Sequence, residues 1–210
     1  MEASIDRARC RVQRVFDEAL SLAEASQKRS LWELERGLWT LMLALGRALV
    51  ELFLARHVAR PRPSKYEHDG MSYALELDKP RTSQLGTRFG KVSFRRPVGR
   101  IPWSRDCAAD LPIDRELGLC SGFSLGVVMA ITRLCAQMAF RHARETFREA
   151  YEWMPSPRAV LRMVDGVGEQ ARPFLEPPTA IRGGTYTVAP AAVVLTSCRI
   201  VPPRGRTARP

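Results

Sequence analysis

The sequence predicts a mainly α fold: a helical hairpin, a small basic β-hairpin, a helix-turn-helix-like helical region, and a disordered or weakly structured C-terminal tail. Three observations predict it. Seven leucines from Leu31 to Leu52 recur at steps of three and four, the period of one helix face. Arg81 to Arg105 abandons that period for strand-like alternation and holds seven basic residues with no Asp or Glu. Further on, Met154-Pro155-Ser156-Pro157 separates two more helical patterns.

Residues 1–59 form the expected helical hairpin. Ile5 to Gln27 places Val12, Val15, Phe16, Ala19 and Leu22 at helical spacing, and Ser26 or Ser30 punctuates it. Leu31 to about Val58 is the longer helix, with Trp39, Met42 and Phe53 widening its apolar face. So wide a face needs a partner, either the first helix folded back or a second copy of the chain. Leu34, Leu38, Leu41, Leu45, Leu49 and Leu52 are therefore the expected oligomerisation face, and a homo-oligomer is an expected partner. The most apolar run, Leu38 to Leu54, is interrupted by Arg47 and Glu51 and is shorter than a usual span. It reads as a buried-face helix, with no membrane partner. Arg60-Pro61-Arg62-Pro63 stops the helix, and 60–80 reads as a linker.

Residues 81–110 read as the basic β-hairpin. Thr87 and Phe89, a turn at Gly90, and Val92 and Phe94 alternate with Lys91, Ser93 and Arg95. Phe89, Val92 and Phe94 would line the inner face, and the basic side chains the outer face, where phosphates can be met. In 111–175 Asp114 would cap a short turn through Leu117. Ser121 or Ser124 would open a helix to about Phe140, burying Val127, Val128, Ile131, Leu134, Cys135 and Met138. His142 to Trp153 is the next helix. Ser156 is a good N-cap and Pro157 suits the first helical position, where its missing N–H costs nothing. Val160, Leu161 and Val164 would face inward, and Gly166 and Gly168 would close the helix.

Two readings of that corner stand side by side. Helical hairpins share the geometry of DNA-reading helix-turn-helix units. Between Arg141 and Gln170 five arginines meet five acids, so charge does not choose. Position favours DNA only through Arg158 and Arg162. They lie four apart on the outer face of the second helix, where arginine can pair bidentately with guanine.

Composition narrows the partners. The 210 residues allow one domain or two small ones, and the net charge of +11 points to a polyanion, nucleic acid first and anionic membrane second. Five cysteines (Cys10, Cys107, Cys120, Cys135, Cys198), odd in number and without C-x-x-C spacing, argue against a disulfide framework. The N-terminus shows no signal peptide, so a cytoplasmic setting is expected. His57, His68 and His142 lack ligand spacing, and no phosphate loop, nucleophile elbow or dinucleotide fingerprint is present. Neither metal nor cofactor is expected.

The order of motifs carries a resemblance. After the leucine-rich helix come Thr87 to Arg96 (TRFGKVSFRR), Leu111 to Leu119 (LPIDRELGL), Arg144 to Ala150 (RETFREA) and Ser156 to Gly168 (SPRAVLRMVDGVG). Over roughly Leu31 to Leu175 this resembles the N-terminal half of bacterial insertion-sequence transposases of the Kra type, relatives of the group with a DDE, RNase H-like catalytic domain. The resemblance implies double-stranded DNA, the terminal repeats of a mobile element, as partner, and a nucleoid-associated cytoplasmic location when bound. Two departures stand out. Where the family often carries a Cys pair, only Cys107 is present, with Trp103 and Ser104 nearby, and a structural zinc site wants four ligands. After Asp165 there is no Asp, and only Glu169 and Glu176 remain, whereas a DDE nuclease needs three carboxylates for two metal ions. Residues 171–210 instead hold seven prolines, and 176–210 reads as a tail from a shifted frame.

The expectation is thus a DNA-binding N-terminal transposase fragment that is not itself an enzyme. Arg88, Lys91, Arg95, Arg96 and Arg100 would meet the DNA backbone, and Arg158 and Arg162 the bases. The alternative is a helical protein-interaction module without DNA specificity, its charge serving solubility alone.

Overall fold

The structure is a computed structural model that describes residues 2–25, 30–102 and 109–175. Trp103, Ser104, Cys107 and the expected tail 176–210 lie outside the described residues. Two long helices open the chain, α1 (Glu2–Glu24) and α2 (Leu31–Val58). Ser30 caps α2 through a reciprocal box with Glu33, which satisfies donors that the first helical turn leaves orphaned. The two helices fold back as an antiparallel hairpin, tied by Arg11 to Glu51 at 2.5 Å and by close approach of Leu22 to Gly37.

Next come β1 (Lys65–His68), β2 (Met71–Thr87) and β3 (Gly90–Arg100), a three-stranded antiparallel sheet in the order β1-β2-β3. This overturns the mainly α expectation. Among the described residues 61% are helical and 22% extended, a mixed α/β protein. The segment 60–80, expected as a linker, holds β1 and the first half of β2. Asp69 and Gly70 turn between them with φ of 48° and 73°, the two left-handed residues a tight hairpin turn requires. The prolines are tolerated for a specific reason. The β2–β3 register shifts between Glu76 and Arg81, so Pro80 and Pro97 sit where the ladder is interrupted.

α3 (Pro112–Glu116) is short and lies against β3, and Asp114 does not cap it. α4 (Leu125–Gln137), α5 (Phe140–Tyr151) and α6 (Pro157–Leu175) follow. α6 runs through Gly166 and Gly168, which were expected to end it; neither takes a positive φ.

Two cores hold these elements. One packs Leu54 of α2 on Leu85, Val92 and Phe94 of the sheet, with Ile113 and Leu119. The other joins Val127, Val128 and Ile131 of α4 to Phe147 of α5 and Val160 and Met163 of α6. Each fully buried side chain of this size stabilises by about 1.5–3 kcal/mol. Gly86 links the two. Its N–H donates to Gly122 O and its carbonyl accepts from Ser124 N–H, both at 2.9 Å. α2 is also long and apolar enough to cross a membrane, and only 17% of its most apolar stretch is buried.

Candidate nucleic-acid interface

The hairpin turn lies at Arg88-Phe89, one step earlier than expected, with Thr87 paired to Gly90. Gly90, at φ 115°, stands against the Arg47 guanidinium, which donates to the Phe89 carbonyl at 3.1 Å. Phe89, in the turn, lays its ring on Gly46 of α2 at the rim of the face that carries Val92 and Phe94, and remains 40% exposed.

Strand alternation sorts the basic residues. Leu85, Val92 and Phe94 face α2. On the opposite face the register sets Lys91 beside Gly86, Ser93 beside Gln84, and Arg95 beside Thr82. Lys91 and Arg95 are exposed there, no acid shares the strip, and neither is in an ion pair among the described residues. This is a surface that can meet phosphates.

Three of the expected contacts are otherwise engaged. Arg96 points inward, is 9% exposed and pairs with Asp114. Burial, with Arg81 as a lesser cause, holds its pKa below the ordinary value. It is a fold residue, not a phosphate contact. Arg88 is held on Tyr151, donating to its hydroxyl and lying 5.2 Å from the ring centroid. Arg100 is exposed but bonded to Glu76 at 2.9 Å, and nine residues of strand put it about 30 Å from Lys91.

The corner before α6 is built as its sequence implies. Glu152 closes α5 in the left-handed conformation and accepts from Thr40 of α2 at 2.7 Å. Ser156 Oγ accepts from the Ala159 N–H at 3.3 Å, and Pro155 is fully buried. Trp153 rests on the outer face of the hairpin: a methyl group on Gly86 would stand 2.9 Å from its ring. The turn that opens α6 therefore abuts the face carrying Lys91 and Arg95. Arg158 and Arg162 are both exposed on α6, with Leu161 between them 51% exposed, and neither forms an ion pair among the described residues. Leu161, expected inward, thus joins the open side.

The oligomerisation leucines are divided. Leu34, Leu38, Leu41, Leu45 and Leu52 are half-buried, Leu41 in the α1–α2 seam beside Leu22, and only Leu49 is exposed.

Two polar clusters escaped the sequence reading because their members are far apart in the chain. Tyr66 donates to Asp110 at 2.6 Å, beside Arg115, and burial with this bond pushes the phenol pKa up. Glu116 accepts from Arg62 and lies 3.0 Å from His57 Nε2. Arg62, and then His57, hold the Glu116 carboxyl below the usual carboxylate range, against the opposing effect of burial. Among the described residues no group of three or more His, Cys, Asp or Glu could hold a metal ion.

No protein-family model, curated protein or solved structure matches this chain.

Proposed function

We propose that this chain binds double-stranded DNA. The β2–β3 outer face would meet phosphates through Lys91 and Arg95, and the first turns of α6 would approach bases through Arg158 and Arg162. The observation that carries the reading is the pair Arg158 and Arg162: exposed, four apart, free of acidic partners among the described residues, and opening the second helix after a tight turn. The chain-wide charge of +11 supports it. The motif order extends the reading to the DNA-binding part of an insertion-sequence transposase, acting at the terminal repeats of its element and without catalysis of its own.

The test is binding to a labelled duplex carrying terminal repeats around its own reading frame, against random duplex, over a range of salt. The reading expects preference for the repeats, lost in Arg158→Ala/Arg162→Ala. It also expects affinity to fall log-linearly with salt, by a slope of about 0.9 per phosphate contacted. Equal and weak binding to both duplexes would leave a basic protein with a packed helical corner.

A further inference from the structure

The α1–α2 hairpin leaves one long side uncovered. With Arg11–Glu51 closing one flank of the seam, helical geometry puts Phe16 and Leu20 of α1 on the other flank. Met42, Leu49 and Phe53 of α2 share that flank. These five side chains are 46–55% exposed, and Trp39 and Phe89 extend the patch at 50% and 40%. At roughly 200 Å² per large side chain, about 700 Å² of apolar surface is open. That exceeds what a monomer commonly shows and approaches the ~800 Å² per partner of a stable interface.

We propose that two copies of this chain pair antiparallel through α2, with the two-fold axis level with the Leu45–Gly46 bond, where the chain's own Phe89 covers Gly46 and joins the contact. The charge pattern selects this occupant. A two-fold centred there sets Met42 opposite Leu49 of the second copy, and Leu38 opposite Phe53. It also sets Glu35 opposite Arg56, twice. Glu35 and Arg56 are exposed at the two ends of the stripe, about 30 Å apart along the helix, and neither is in an ion pair among the described residues. A self-complementary patch with opposite charges at matched distances from its centre is what an isologous interface requires. A parallel pair would set Glu35 against Glu35. The pairing does not depend on the DNA reading and is measured without DNA.

Sedimentation equilibrium of the whole chain across a micromolar series tests it. A dimer is expected, and Leu49→Glu should make it a monomer. Glu35→Arg or Arg56→Glu alone should weaken association about tenfold, and the two together should restore it. All three positions are exposed, so circular dichroism should report unchanged folding. A monomer at every concentration overturns the proposal, and so does a double swap that fails to rescue. A chain that stays monomeric in water but sediments with anionic phospholipid vesicles would put lipid on this face and equally overturn it.

Discussion

Arg96 of β3 and Asp114 of α3 meet as an ion pair inside the protein, each 9% exposed, while the adjacent Arg95 stands in solvent. Consecutive residues of a strand point to opposite faces, so the two arginines have opposite tasks. Arg96→Ala leaves the Asp114 carboxylate buried without its partner and should cost about 3–5 kcal/mol in a denaturant titration. Replacing both by apolar residues of similar volume should recover most of that loss. Arg95→Ala should change stability by less than about 0.5 kcal/mol and lower the salt slope of DNA binding by about one contact. A large stability loss in Arg95→Ala would reverse the assignment.

Tyr151 ties Arg88 to the helical half of the molecule through its hydroxyl and its ring. Tyr151→Phe keeps the ring and removes the acceptor. It should cost about 1 kcal/mol, and a double-mutant cycle with Arg88→Ala should show coupling of at least about 0.5 kcal/mol. Additive effects would mean that the contact contributes nothing.

Gly86 has no room for a side chain. A methyl there would lie 2.5 Å from the Phe123 ring and 2.9 Å from Trp153, both packed at the joint between the sheet and the α5–α6 turn. Gly86→Ala should therefore destabilise by about 1–3 kcal/mol. Trp153 fluorescence should change in the folded state, since the indole must move. An unchanged melt and spectrum would count against the joint.

Acid should loosen the end of α2. The Glu116 pKa is lowered in the folded protein, first by Arg62 and then by His57. A depressed carboxylate contributes stability above its unfolded pKa of about 4.3. That contribution is lost as pH falls through the lower folded value. Thermal melts should decline below about pH 4.3 more steeply in the parent than in Glu116→Gln. Parallel declines in the two proteins would exclude Glu116 as a source.

Local sequence determined much of this protein. The Ser30–Glu33 capping box starts α2, and Ser156-Pro157 starts α6, because capping and proline placement act within a few residues. The β2–β3 alternation was legible too, as was the Asp69-Gly70 turn, whose residue types specify a tight hairpin that the linker reading passed over. Strand alternation alone would also have separated Arg95 from Arg96. The tertiary structure decided the rest. Arg88 faces Tyr151 across 63 residues, Glu116 meets His57 across 59, and Tyr66 reaches Asp110 across 44. A periodic pattern names the residues that can be buried but not their partners. Only packing settled which flank of α2 met α1 and the sheet and which stayed open, and which basic side chains stayed in solvent.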